Sequence, residues 1–177
     1  MDKGRSYNCY GTNTGTPLIF EVPRSPGLYV DLSNAFVEVQ LILVQGAAAH
    51  TDVSYVNNVL HTLFKDVSLS LNNTKVEGEN MNYAFKSYIY SVVNTSAQAK
   101  SHQLQTSGWL SDKAGQFDGI TEAANDGHKV RKVWGAAAKD LFLAGPLMLD
   151  LWMQDQYFPD NIDFKLKYTR NTHEFCL

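Results

Sequence analysis

The sequence predicts an all-β chain, folded as an antiparallel jelly-roll sandwich with one or two inserted helices. Three observations lead there. Short segments alternate apolar and polar side chains with a period of two, most clearly at residues 66–72 and 162–168. One segment, residues 82–93, switches to helical spacing. Strand-like and helical stretches do not alternate regularly along the chain, as a parallel-sheet enzyme fold requires.

Size and composition agree with this reading. With 177 residues the chain can bury one core without staples. It is 44% hydrophobic, 12% aromatic and 19% charged, against about 25% charged in a typical globular domain. That balance favours sheets and adhesive surfaces over long solvated helices.

Residues 1–16 are polar and rich in Gly, Thr and Asn without periodicity, which reads as a flexible N-terminal arm. The jelly-roll domain occupies residues 17–177. Leu18–Val22 is a short apolar strand closed by Pro23, and beyond the Pro26-Gly27 turn Leu28, Val30 and Leu32 point one way along a second extended piece. In residues 36–45, Val37, Val39, Leu41 and Leu43 share a face. Ile42 and Val44 make the other face apolar toward the end, so this strand is expected to be buried on both sides there. Gly46 and residues 47–50 then open a loop.

Residues 56–64 suit one or two helical turns, with Asn57 or Asn58 as the cap. In residues 66–72, Val67, Leu69 and Leu71 alternate with Asp66, Ser68 and Ser70, and the Asn72-Asn73 pair turns the chain back into Lys75-Val76-Glu77. Within residues 82–93, Ala84, Phe85, Tyr88, Ile89, Val92 and Val93 form a stripe expected to pack on the sheets. Residues 96–105 read as a second, more polar helix, and residues 106–126 as a long glycine-rich loop of the kind that usually makes functional contacts. Residues 129–134 and 140–144 are candidate strands, broken by Gly145-Pro146. Residues 147–154 are a short helix or irregular strand. Ile162, Phe164, Leu166 and Tyr168 then line a half-exposed strand.

Several function classes lack their residues. The net charge is -3 with basic residues scattered singly or in pairs such as Arg131-Lys132, so no direct nucleic-acid contact is expected. The first sixteen residues carry only Lys3 and Arg5, unlike the basic arm of many small RNA-virus shell proteins. The most apolar stretch, residues 41–49, is far shorter than the roughly 20 residues a membrane span needs. Cys9 and Cys176, with no apolar secretory core near the start, suggest a reducing cytoplasmic or nuclear setting and no disulfide between them. The sequons at Asn72 and Asn94 carry no weight without a secretory route.

An enzyme is not expected. The histidines at 50, 61, 102, 128 and 173 include no His-x-His pair of the cupin type, so neither metal nor cofactor is assigned, and His61 reads as a packed or capping residue. No Gly-x-Ser-x-Gly elbow is present. Glu77 and Glu79, and Asp155, Asp160 and Asp163, read as solvated turn residues rather than an acid/base pair or calcium site. Tyr83, Phe85, Tyr88 and Tyr90 could stack against sugar rings, but their spacing favours a core-facing stripe. Trp109 and Phe117 differ: as aromatics in a glycine-rich loop with no local core to enter, they are the candidate subunit-interface residues.

Several segments, in order, carry a family resemblance. They are Pro17-Leu18-Ile19-Phe20-Glu21-Val22-Pro23 with Tyr29-Val30-Asp31-Leu32-Ser33; residues 58–64, including His61, with residues 67–72; residues 83–90; Ala99-Lys100-Ser101-His102-Gln103-Leu104 through Trp109 to Asp112-Lys113-Ala114-Gly115; Leu143-Ala144-Gly145-Pro146-Leu147; Asp150-Leu151-Trp152 with Gln154; residues 161–166; and Arg170-Asn171 to Phe175-Cys176-Leu177. Together they resemble the first jelly roll of the double jelly-roll major capsid proteins of Polinton/Maverick elements and adintovirus-like DNA viruses. The resemblance implies a hexon-like structural protein: two stacked sandwiches per complete chain, a homotrimer, and trimers tiling an icosahedral shell beside penton proteins. It implies a place in the virion, assembled in the host nucleus or cytoplasm. It further implies that the strand pairing beside the first, and the whole second sandwich, lie outside these residues. The sandwich would then be incomplete, with open flanks and no full trimer from this chain alone. The alternative reading is a jelly-roll glycan-binding or attachment module.

Overall fold

The structure, a computed structural model, describes residues 16–24, 26–43, 53–78, 80, 82–117, 119, 125–136 and 139–177. The arm at residues 1–15 (and Cys9 with it), Val44 and the loop at residues 46–50 lie outside the described residues. Among those described, two antiparallel sheets form a β-sandwich arrangement with several short helices.

The larger sheet holds β1 (Leu18–Val22), β6 (Phe164–Arg170), β3 (Phe64–Leu71) and β4 (Thr74–Glu77), side by side in that order. The smaller sheet pairs β2 (Phe36–Ile42) with β5 (Asp140–Pro146). In β1, Leu18, Phe20 and Val22 turn inward opposite Tyr168, Leu166 and Phe164 of β6. Val37 and Val39 of β2 approach the same core from the other layer. Tyr168 stands near its centre, with Phe20 edge-on at 5.5 Å and Phe64 at 5.0 Å.

The β3–β4 hairpin turns on Asn72 and Asn73, both left-handed at φ 46° and 64°, a pairing that matches the right-handed twist of the flanking strands. Asn58 is also left-handed, and α1 (Val59–Thr62) follows it, with Val59 and Leu60 fully buried. The Asn58 side chain does not cap α1, and His61 is packed inside the molecule.

The structure corrects several expectations. Residues 28–32 form no full strand, only a bridge between Val30 and Phe158. The outer face of β2 is not buried at its end, because Ile42 is half exposed. Residues 129–134 belong to helix α4 (Asp126–Gly135), whose first turn is capped by Asn125 Oδ1 accepting from the backbone N–H of Gly127 at 3.1 Å. Gly145 and Pro146 do not break a strand but end β5, paired with Val37 and Phe36. Within the larger sheet β6 bonds β1 on one side and β3 on the other. Residues 96–107 form α3 (Ala97–Ser101), capped by Ser96, and a 3-10 turn at Gln103–Ser107. Residues 150–153 form another such turn, and α5 (His173–Cys176) follows β6.

Candidate subunit-contact surface

The surface is built on helix α2 (Tyr83–Asn94), whose sides are reversed from expectation. Its buried residues are Tyr83, Ala84, Ser87 and Ser91, whereas Phe85, Ile89, Val92 and Val93 are 56%, 61%, 44% and 72% exposed. The apolar stripe therefore faces out. Small side chains explain the reversal: Ala84, Ser87 and Ser91 let the helix sit close to α1 and β3, and Tyr83 enters the main core. Asn58 Nδ2 donates to Ser87 Oγ at 3.4 Å, and Ser87 Oγ donates to Ala84 O at 2.8 Å. At the rim, Lys86 Nζ holds Glu77 at 2.8 Å and Asp150 at 2.6 Å.

Tyr83 links three elements. Its hydroxyl accepts from the backbone N–H of Met148 at 3.3 Å and lies 3.0 Å from His61 Nδ1, while His61 Nε2 has no partner among the described residues. Burial pushes the His61 imidazole down to about 4. Burial raises the Tyr83 and Tyr168 phenols well above their ordinary range, and raises the Cys176 thiol to about 11.

The stripe continues at both ends. Phe85 meets Phe175 of α5 edge-to-face at 5.6 Å. At the other end Val92 joins Tyr88, Lys100, Trp109, Asp112 and Phe117 in lining an open groove of about 460 Å³. The loop below this groove is fastened by Asp112, which accepts from Arg131 Nη2 and Asn125 Nδ2, each at 2.9 Å, and from Asn57 Nδ2 at 3.2 Å. Arg131 also donates to the backbone oxygens of Tyr55 and Leu110. With side-chain exposures of 5% and 8%, the Arg131–Asp112 pair is buried, and every contact named here offsets its desolvation.

The two candidate interface residues separate. Trp109 is only 4% exposed and packs on Tyr88 with ring centres 5.2 Å apart, so its own chain covers it. The glycine-rich loop did have a core to enter, namely the outer shoulder of α2. Phe117 is 63% exposed beside the groove. The expected core-facing aromatic stripe also divides: Tyr83 is buried, Tyr88 and Tyr90 are half-buried, and Phe85 is exposed.

Residues that the sequence reading missed are the Asp112–Arg131–Asn57 fastening and the His61–Tyr83 contact, since neither pair is near in sequence. The Asn125-Asp126 capping signal ahead of residues 129–134 could have revealed α4 and so placed Arg131 on a helix. A second apolar face lies on the outside of the smaller sheet, where Phe36 and Phe142 are 64% and 70% exposed. Among the carboxylates, Asp160 and Asp163 accept from the backbone N–H groups of Gly27 and Arg24, as turn residues do. Among the described residues there is no group of three or more His, Cys, Asp or Glu placed to hold a metal ion, and no helix is long and apolar enough to cross a membrane. Compared with known proteins, the chain matches no family model, no curated protein and no solved structure.

Proposed function

We propose that this chain is a shell-building structural protein: the first jelly roll of a hexon-like viral major capsid protein, working through buried contacts with neighbouring subunits rather than through catalysis. The observation that carries this reading is the outward apolar stripe of α2, Phe85, Ile89, Val92 and Val93, extended by Phe175 and Phe117. A monomeric surface seldom keeps such a contiguous run, and runs of this kind mark protein contacts. The stripe itself bears no charged side chain, which suits a desolvated subunit contact. Strand order supports the jelly roll, since the first strand lies beside the sixth and the second beside the fifth, as in a ribbon wrapped on itself. The trimer, its tiling with pentons and its virion location follow from the family resemblance and belong to the complete two-sandwich protein.

Sedimentation of the purified chain tests the reading. Weak, concentration-dependent self-association is expected, and the double change Phe85→Ser with Ile89→Ser removes it while leaving the melting temperature nearly unchanged. A chain that stays monomeric at high concentration, or a double variant that associates as well as the parent, overturns it.

The glycan-binding alternative has one observation in its favour: Tyr29 and Tyr157, next to the Val30–Phe158 bridge, are 72% and 70% exposed. Selective retention on a glycan array, lost on Tyr29→Ala, would favour that module.

A further inference from the structure

We propose that His61 is an acid-sensitive latch: its protonation breaks the hydrogen-bond relay from Met148 through Tyr83 and releases helix α2 from the sheet. The relay dictates the imidazole's state. Tyr83 Oη takes the Met148 N–H, so the phenol's own proton is free to go to His61 Nδ1. That arrangement leaves only one orphaned group, the Nε2–H, whereas a proton on Nδ1 instead would orphan both the phenol hydrogen and Nε2. The neutral ring carrying its proton on Nε2 is therefore the native form.

Adding the second proton puts a donor at Nδ1 against a hydroxyl that is itself donating. The phenol hydrogen must swing off Nδ1 and lose its acceptor, and a full charge sits at a residue 1% exposed whose Nε2–H has no partner among the described residues. The ionisable group on the ring is Tyr83 of α2; Tyr168 of β6 and Glu77 of β4 interact with Tyr83, and Cys176 of α5 donates to the carbonyl oxygen of the adjacent Thr62. The Tyr83 hydroxyl is the only one of these groups in hydrogen-bond contact with the ring among the described residues.

The fold makes α2 the element that yields. Its apolar stripe faces outward, so its inner face offers mainly Ala84, two serines and the Tyr83 ring. Besides Tyr83 its apolar hold consists of half-buried Tyr90 and the Tyr88–Trp109 stack further along, so at its first turn the polar contacts Asn58–Ser87 and His61–Tyr83 join it to α1. Loss of the second contact removes the anchor at its first turn. The Lys86 clamp to Glu77 and Asp150 remains outside.

Amide hydrogen exchange on the full chain, read as protection factors for residues 83–94, tests the latch. Protection should fall roughly 80-fold between pH 7.5 and pH 4.5, the opening linked to uptake of one proton. His61→Phe should flatten that fall while the protection of the sheet strands stays. An equal fall in parent and variant overturns the proposal. Should His61→Phe fail to fold, nitrogen-15 imidazole shifts of the parent decide. A ring protonated on Nε2 that titrates well below the exposed histidines supports the latch, and one protonated on Nδ1 or titrating with the others overturns it.

Discussion

Trp109 and Phe117 share a loop and a residue class, yet their environments assign them opposite work. Trp109 fills the shoulder between Tyr88 and the 3-10 turn, and its backbone N–H donates to Leu104 O at 3.0 Å. Truncating it leaves a void in the chain's own core. Trp109→Ala should cost about 3–5 kcal/mol, seen as a lower midpoint in urea. Phe117→Ala should change stability by less than about 0.5 kcal/mol and instead weaken self-association in sedimentation. Sequence alone showed both as anchored aromatics but not what they anchor to, because the partner surface of Trp109 comes from a helix some twenty residues upstream. Buried polar residues were equally hard to see. Arg131 reads as half of a surface basic pair until α4 carries it beneath the loop to Asp112.

Elements were legible where a local rule and the tertiary context agreed. β1 is a short apolar run closed by Pro23, β3 and β6 alternate strictly, the Asn72-Asn73 pair is a fitting turn, and each formed as expected. Helix α2 formed where its periodicity placed it, but periodicity cannot say which side faces the core. The larger apolar stripe lost that place to a face of Tyr83, alanine and two serines that packs closer. The candidate strand at residues 129–134 is part of α4 instead, because the cap at Asn125 sets the chain helical and the burial falls on Gly127, Arg131 and Gly135 at four-residue spacing. The Gly127 site admits no side chain, since a β-carbon there would lie 2.8 Å from Asp112 Oδ1. Asn125→Ala removes the cap together with a ligand of Asp112. It should destabilise the chain by about 1–2 kcal/mol and loosen residues 109–117, measurable as faster proteolysis of that loop at unchanged sheet content.

At the scale of the molecule, stability should form a plateau bounded on each side by buried groups. His61 has its pKa depressed from 6.5 to about 4, so the unfolded chain takes up the proton first. Its contribution is complete above pH 6.5, declines as the pH falls, and is exhausted near pH 4, a loss of roughly 3 kcal/mol. On the alkaline side the signs reverse. Cys176 is raised from 9.0 to about 11, and Tyr83 and Tyr168 are raised from 10.0, so stability holds below pH 9 and declines as these groups ionise first in the unfolded chain. Urea midpoints measured from pH 4 to pH 10 should trace that plateau. A midpoint that does not decline between pH 6.5 and pH 4 would deny His61 its buried, neutral state. The two-layer antiparallel arrangement was readable from strand periods. How tightly helices crowd it was not, because caps, glycine contacts and buried ion pairs carry little periodic signal.

The central position of β6 also sets a schedule for synthesis. Leu18 finds its partner in Tyr168, and β3 reaches the same strand from Phe64 onward. At a ribosomal pace of about 5–20 residues per second, the first strand waits on the order of 10 to 30 seconds for the residues that cover it. Throughout that interval two ribbons of unsatisfied amides travel with the nascent chain, and neighbouring polysomes translating the same message would be the nearest source of wrong partners.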